Sequence, residues 1–590
     1  ARGATWRAGA MAVGGPKAPE ARDAPAAAAI RSVLSSPATS DLLSELGEKS
    51  AWETLKLTFP AALPDPVQCF PALGWLRRIW RGSPGAVLAQ DMVCGVTVAA
   101  VLIPQAMAYG LLAGLPPVYG LYTALLPAVA YTVFGTCMHL SVGPFALISM
   151  LTCQGIELLV PDPHADPEAA VAVASTLSLL VGAELLLFGV MQLGFLAGFL
   201  SDPVLSGFCT ASSLIIPASQ LKYAFQVQVR SGGFFGVLRQ LLEGVAGGAV
   251  NAAALAIFAA SLAALLAIQR LNRAPPARLA AALRRFPLPA ELSVVVLSTA
   301  AGALGDLGAS PGPAVHLLGP VPPGLPALSL PTPALHEVRV LLAPSLVIAL
   351  MTYVVSMSVS KSFGRRFGYD VNNDQELVAL GAANLLGAVS CGYPAAASMS
   401  RTAIAAEAGA ASPLHGLVTA AAASAVLMFC TSWVATLPLA ALAAIVVMAF
   451  KSLLLDGFAE CQKTWRASCS CFVVWQIAFW ATLTQDVTRG LACAVAADML
   501  HLVYKTTRPS HSVLGRVEGS EHMYCNFRND SVRAVQVPGV LIFRWNGPLH
   551  FANRDFFFSA LWRELLKAEE GAPPAAGPAM ALPPSAVLGL

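Results

Sequence analysis

The run MVCGVTVAAVLIPQAMAYGLLAGLPPVYGLYTALLPAVAYTVFGTCMHLSVGPFALISMLTCQGI extends from Met92 to Ile156 without one Asp, Glu, Lys or Arg. A helix crosses the hydrocarbon of a bilayer in about 20 mostly apolar residues. The run therefore holds two spans and part of a third, with Pro116-Pro117 and Gly135-Thr136 as the turns between them. Uncharged stretches recur at Gly244 to Gln269, Val340 to Ser360, Leu377 to Ser400, Ala408 to Phe450 and Ala467 to Gln485. Divided at turn signals, they predict twelve to fourteen membrane helices between Asp91 and Lys505. Composition agrees. Charged residues are 12% of the chain, against about 25% in ordinary soluble proteins. The 43 prolines and 48 glycines point to broken rather than straight helices. A net charge of +3 in so apolar a chain excludes a disordered protein, a nucleic-acid binder of the basic-patch kind and an ordinary cytosolic enzyme. The 12 cysteines form no Cys-x-x-Cys pair and are read as mostly free and buried in the membrane.

Basic residues cluster between the apolar stretches, and such clusters mark the cytosolic side. They are Arg77, Arg78 and Arg81; Arg270, Arg273, Arg278, Arg284 and Arg285; Lys361, Arg365 and Arg366; Lys463 and Arg466; Lys505 and Arg508. With fourteen spans all five clusters share one side with both termini. The acidic loop from Pro161 to Glu168 and the Pro-rich loop from Asp306 to Glu337 then lie outside. The sequon Asn529-Asp-Ser531 falls in the cytosol, so glycosylated outer loops are not expected.

Two breaks carry the functional argument. Ser141-Val-Gly-Pro-Phe-Ala146 interrupts the first run, with Ser141 able to cap a helix and Pro144 suited to a first helical turn. Gly392-Tyr-Pro394 interrupts the later one, followed by hydroxyls at Ser398, Ser400 and Thr402 and by Arg401. Pro144 follows Asp91 by 53 residues and Pro394 follows Arg339 by 55. Matching breaks at matching depth point to inverted repeats with a site between them. Helix N-termini expose unpaired amides and about half a positive charge. An arginine at mid-membrane costs about 2.5–3.5 kcal/mol on insertion scales. No acid lies nearer to Arg401 in sequence than Glu407, so a diffusible anion can serve as its partner; a backbone carbonyl or a carboxylate on another helix is the competing reading.

At these residues the chain resembles the SulP family, solute carrier family 26 in animals. The resemblance rests on Asp91-Met-Val-Cys-Gly-Val-Thr-Val98, Ile103-Pro-Gln-Ala-Met-Ala-Tyr109, Leu112-Ala-Gly-Leu-Pro-Pro-Val-Tyr-Gly-Leu-Tyr122 and Gly135-Thr-Cys-Met-His-Leu-Ser-Val-Gly-Pro-Phe-Ala146. In the second half it rests on Phe367-Gly-Tyr-Asp-Val-Asn-Asn-Asp-Gln-Glu-Leu-Val-Ala-Leu-Gly381, Ser398-Met-Ser-Arg-Thr402, Asp486 and Gly490. It implies an α-helical polytopic membrane protein of the UraA-like kind, with 14 transmembrane segments as 7+7 inverted repeats, divided into a core and a gate subdomain. A partial α/β STAS domain follows. By domain, 1-75 is a partly disordered cytosolic region, 76-506 the transmembrane transporter, 507-570 the start of a cytosolic STAS domain that is cut short, and 571-590 a disordered Pro/Ala-rich end. Carried over by residue, the resemblance places Gln105, Tyr109, Phe145, Ser398, Ser400 and Arg401 around the anion, between the third and tenth helices. Read by themselves, Gln105 could bond the carbonyl freed by Pro104, Tyr109 and Phe145 could be ordinary packing, and the serines could be caps.

One departure bears on mechanism. Proton-coupled relatives resemble F-V-E-S-I-A-I-A-K in the eighth helix, whereas this chain has Tyr353-Val-Val-Ser-Met-Ser-Val-Ser-Lys361. Val355 stands in place of the carboxylate, leaving no obvious titratable group in the membrane core and favouring exchange or uncoupled conductance. In the tail, Val540–Phe543 and Leu549–Phe551 are expected as paired strands, followed by a helix capped by Asn553 with Phe556, Phe557, Ala560, Leu561 and Leu565 on one face. The function expected is secondary exchange of sulfate, chloride, bicarbonate or oxalate by an elevator-like shift, in a homodimer in the plasma membrane. A channel-like, voltage-responsive or non-transporting protein on the same fold is the alternative, and a nucleobase carrier is disfavoured by Arg401. No metal cluster, phosphate-cradling loop or nucleophile–base pair suggests an enzyme or a cofactor.

Overall fold

The computed structural model describes residues 70–570 except 82–83, 164, 199–200, 228, 230–232, 249, 275–287, 306–314, 320, 486, 521, 528–533 and 538–539. The expectations for Arg278, Arg284, Arg285, Asp486, the sequon, most of the N-terminal region and the Pro/Ala-rich end lie outside the described residues. The chain divides into two compact units, one being Asp65–Arg508 and the other containing Pro509–Leu590.

The first unit is almost wholly helical: α1 Pro71–Arg81, α2 Pro84–Leu112, α3 Pro117–Thr123, α4 Leu126–Phe134, a short strand β1 Val142–Gly143, α5 Ala146–Glu157, α6 Pro167–Val190, α7 Asp202–Phe225, α8 Phe234–Ala246, α9 Ala252–Arg273 and α10 Ala290–Leu304. It continues with α11 Leu335–Phe367, α12 Asn373–Val389, β2 Ala396–Ala397, α13 Met399–Glu407, α14 Leu414–Phe429, α15 Thr431–Val434, α16 Leu439–Ala467, α17 Cys469–Thr484 and α18 Val487–Thr507. Among the described residues, seven helices are long and apolar enough to cross a membrane, and α10, α14 and α17 are shorter apolar helices. The first of the seven begins at Pro84, ahead of the uncharged run, because a proline costs nothing in a first helical turn. Asp91 can then lie buried inside α2, since its carboxylate accepts from the amides of Ala411 (2.9 Å) and Ser412 (3.2 Å) and from the Ser412 hydroxyl.

Helices in lipid gain little from burying apolar surface against one another, so small residues at their crossings matter. A Cβ at Gly120 of α3 would lie 1.8 Å from the Ala106 carbonyl oxygen of α2, and one at Gly381 of α12 would lie 3.0 Å from the Gly182 carbonyl oxygen of α6. Overpacking costs about 1–3 kcal/mol when flexible side chains can yield; here backbone must move. Gly120→Val is therefore expected to remove most of the folded protein from the membrane, as read by fluorescence-detected size exclusion. A wild-type elution peak would refute the close crossing.

In the second unit β3 His511–Val517 is central. It pairs antiparallel with β4 Tyr524–Asn526 on one edge, and with β5 Ala534–Val535 and β6 Ile542–Trp545 on the other. The strand expected near Val540–Phe543 is β6, but its partner is β3. Leu549–Phe551 is not a strand. Asn553 shows why: its side chain accepts from the His550 amide (3.0 Å) and donates to the Pro548 carbonyl (2.9 Å), folding this stretch into a turn. The helix α19, Arg554–Glu570, follows, and its expected apolar face is the one that packs. Phe556 and Phe557 meet Trp545 with ring centroids 6.0 and 5.1 Å apart.

Candidate functional site

β1 and β2 pair antiparallel, with Val142 opposite Ala397 and Gly143 opposite Ala396. Each strand passes within three residues into a helix, β1 into α5 and β2 into α13. Because the strands run oppositely, the helices leave the crossing in opposite directions and both N-termini sit at it. The first helical hydrogen bonds are Ser149 to Phe145 and Thr402 to Ser398, both 2.9 Å. The amides of Ala146–Ile148 and Met399–Arg401 precede them and have no helical acceptor. Neither Phe145 nor Ser398, the residues at the capping positions, closes its helix with a side-chain bond.

This corrects the expected capping. Ser141 lies four residues before the cap position, in extended chain, and Pro144 precedes the first turn instead of occupying it. The residue before a proline is biased to extended backbone, so Gly143 continues a strand and finds β2 as its partner. Both residues turn their oxygens to Arg401. The guanidinium donates through Nη1 to the Pro144 carbonyl (2.9 Å) and to Gln105 Oε1 (3.4 Å), and through Nε to Ser141 Oγ (3.3 Å). Arg401 is fully buried, and its Nη2 has no hydrogen-bond partner among the described residues. A Cβ built on Gly143 would lie 3.6 Å from that nitrogen. None of the ion pairs formed among the described residues involves Arg401. The cation is thus held by neutral dipoles with one donor arm left over.

The other expected residues fall at varied distances from this centre. Tyr109 lies one turn beyond Gln105 on α2 and is buried. Phe145 is half-buried at the head of α5. Ser398 is buried and its Oγ lies 3.2 Å from Ser400 Oγ, while Ser400 is exposed in the first turn of α13. Hydrogen bonds join Gln105 to Arg401 and Ser398 to Ser400; Tyr109 and Phe145 enter through packing.

A second ring of side chains was not anticipated. The break between α12 and α13 leaves backbone groups that must be satisfied inside the protein. Thr123 Oγ1 accepts from the Tyr393 amide (3.0 Å), Asn384 Oδ1 from the Ala395 amide (2.8 Å), and Ser356 Oγ from the Ala397 amide (3.0 Å). The Ser141 carbonyl accepts from the Ser398 amide (3.1 Å), and the Thr402 hydroxyl from the Ser141 amide (3.2 Å). Buried Thr, Asn and Ser within uncharged runs are a signal for such roles, although the partners lie far apart in sequence.

Glu376 of α12, fully buried, does the same for the segment leading into β1. It accepts from the Tyr131 hydroxyl (2.9 Å), the Thr136 amide (2.8 Å) and hydroxyl (2.6 Å), and the Cys137 amide (3.2 Å). Glu184 of α6 is half-buried, accepts from the Ser345 hydroxyl (2.7 Å), and leaves Oε2 buried without a partner among the described residues. The expectation of a core without titratable groups is therefore wrong. Val355 marks the loss of one carboxylate, while two others are carried on α6 and α12 and are stabilised by neighbours that only folding assembles. The described cysteines are free, and Cys430, Cys469 and Cys493 are exposed.

Comparison with known proteins locates this arrangement. Residues 88–478 match the model of the Sulfate permease family. Solute carrier family 26 member 10 of Mus musculus is 32% identical over 87% of this chain and 74% of its own length. Sulfate anion transporter 1 of Homo sapiens is 31% identical over 83% of this chain and 72% of its own. Among solved structures, the overall structure of SLC26A9 superposes with a TM-score of 0.75 at 25% identity, covering 91% of this chain and 83% of that one.

Proposed function

The chain belongs to the sulfate permease family of anion transporters, and from that premise we propose that it exchanges small inorganic anions, with sulfate, chloride, bicarbonate and oxalate as candidates. One observation carries the reading. Two helix N-termini without side-chain caps meet at a strand crossing beside a buried arginine that, among the described residues, has no carboxylate partner and one unbonded arm. Helix N-termini favour anions through free amides and the macrodipole. The guanidinium adds a full charge where little water screens it. Gln105, Tyr109, Phe145, Ser398, Ser400 and Arg401 form the proposed site, with Ser141 and Pro144 orienting the guanidinium.

The finer architecture is also proposed. The helices suit fourteen segments in two inverted repeats of seven, one opening with α2 and the other with α11, with α5 and α13 third in each. The half containing the strand crossing is read as a core that shifts past a gate, in an elevator-like cycle within a homodimer. The sheet-and-helix unit after Pro509 is read as the opening of a STAS domain. The basic clusters support a reading with both termini in the cytosol, and the plasma membrane is the proposed location. Exchange is the proposed mode, with Val355 standing where proton-coupled relatives carry a carboxylate; Glu184 and Glu376 are the buried carboxylates that a pH dependence of uptake would implicate instead.

The test is radiolabelled sulfate uptake into proteoliposomes. Uptake is expected to be several-fold faster with chloride or sulfate inside than with an impermeant anion inside. Uptake indifferent to the internal anion and carrying current would replace exchange by conductance. The absence of both uptake and current would overturn the transporter reading.

A further inference from the structure

At the strand crossing, nothing in the fold requires residue 143 to be glycine. Glycine is needed where φ is positive or where a Cβ would strike a neighbour. Neither holds at Gly143. It is extended in β1 and its φ is not positive. A Cβ built on it would meet Arg401 Nη2 and Leu102 Cδ1 at 3.6 Å and the Ala124 Cα at 3.8 Å, all ordinary van der Waals contacts. Leaving aside its chain neighbours, no described residue comes closer. Gly120 and Gly457 are different: a Cβ there would lie 1.8 Å from the Ala106 carbonyl oxygen and 1.9 Å from Thr210 Oγ1. Opposite Gly143 in β2 stands Ala396, which carries a Cβ within the same crossing. Glycine also loses more backbone freedom on ordering than alanine does, so the fold by itself favours alanine at 143. What a methyl group there would cover is the arm of Arg401 that has no hydrogen-bond partner among the described residues. Leu102 and Ala124, both buried, present only carbon to the same spot. A buried, charged N–H therefore faces a notch the size of one methyl group. Such a donor is costly without an acceptor.

We propose that Gly143 belongs to the anion site, its missing side chain leaving the notch in which Arg401 Nη2 binds one atom of the transported anion. That atom is a chloride ion or a single oxygen of an oxyanion, because one methyl group would fill the notch. Nη2 supplies the only polar wall among its three nearest atoms, so the guanidinium alone holds that atom. The rest of a polyatomic anion remains for the free amides of α5 and α13. The inference deepens the anion-exchange reading and rests on it.

The full chain in proteoliposomes tests it, with radiolabelled sulfate and chloride as probes. Gly143→Ala is expected to raise the half-saturating concentration of each by about 10-fold, the loss of one hydrogen bond to a charged group. Its melting temperature in gluconate buffer should stay that of the wild type. Gly143→Ser should be impaired as much, because its hydroxyl would occupy Nη2. Gly236→Ala on α8, where a Cβ would meet nothing within 4 Å, controls for the substitution itself and should match the wild type. Wild-type half-saturation in Gly143→Ala overturns the inference. So does unchanged affinity with a lowered melting temperature that Gly143→Ser restores, since that pattern gives the notch to a structural water. Failure of Gly143→Ala to fold overturns it too, because a Cβ must fit. An impaired Arg401→Gln beside an unaffected Gly143→Ala refutes the notch alone, whereas no saturable uptake of either anion by the wild type refutes the anion-exchange reading along with it.

Discussion

Arg401→Gln is expected to raise the half-saturating sulfate concentration by about 10- to 150-fold, while the protein still reaches the membrane. A hydrogen bond to a charged group contributes about 1.5–3 kcal/mol, and every 1.4 kcal/mol is about tenfold in affinity. Glutamine keeps a neutral donor near the Pro144 carbonyl but loses the charge and the unbonded Nη2 arm. Stability should survive the change. The buried guanidinium is held by neutral oxygens only, and an arginine inside a membrane costs about 2.5–3.5 kcal/mol on insertion scales. Arg401→Lys separates charge from geometry. It retains the cation but cannot reach Ser141, Pro144 and Gln105 together as the planar fork does, so its defect should lie between wild type and Gln. Uptake in Arg401→Gln with wild-type concentration dependence, measured at equal surface amounts, would remove Arg401 from the site.

Glu376→Gln should act on folding more than on affinity. Five donors converge on this carboxylate, the Ser360 hydroxyl at 3.5 Å being the most distant, and an amide offers one oxygen and one NH₂ group in its place. At least one donor then faces another donor, and each buried group left unsatisfied costs about 1–3 kcal/mol. The Thr136–Cys137 segment is the chain's approach to β1, so its release should loosen the strand crossing. The expected outcome is a melting temperature lowered by several degrees in detergent, with maximal transport falling more than affinity for what remains folded. Tyr131→Phe, which deletes a donor and leaves the acceptor intact, should be clearly milder. Glu376→Gln with the wild-type melting temperature would refute the bracing role.

The site was only partly legible in the residues. Pro144 and Pro394 announce the breaks because each follows a glycine closely within an uncharged run, whereas Pro104, Pro217 and Pro344 sit inside continuous helices, and Arg401 is conspicuous because a cation in an uncharged run needs a reason. Ser141 was misread as a cap. Its actual partners, Arg401 and Thr402, lie more than 250 residues away, and capping rules describe only neighbours along the chain. Thr123, Asn384 and Ser356 stand out as polar residues in uncharged runs, but no local rule names their partners, for the same reason. Their value lies in meeting backbone groups of a segment brought to them by folding.

The apolar helices and the two breakpoints were readable from the chain because each follows from local properties. Apolar length, charge and missing amide hydrogens act on the residues that carry them. The antiparallel seating of Val142–Gly143 against Ala396–Ala397 was not, nor the neutral cradle around the guanidinium, the ring of donors on Glu376 or the choice of β3 as partner for β6. These are long-range pairings, selected because buried polar groups must be satisfied by whatever packing brings within about 3 Å, and no stretch of sequence contains that distance.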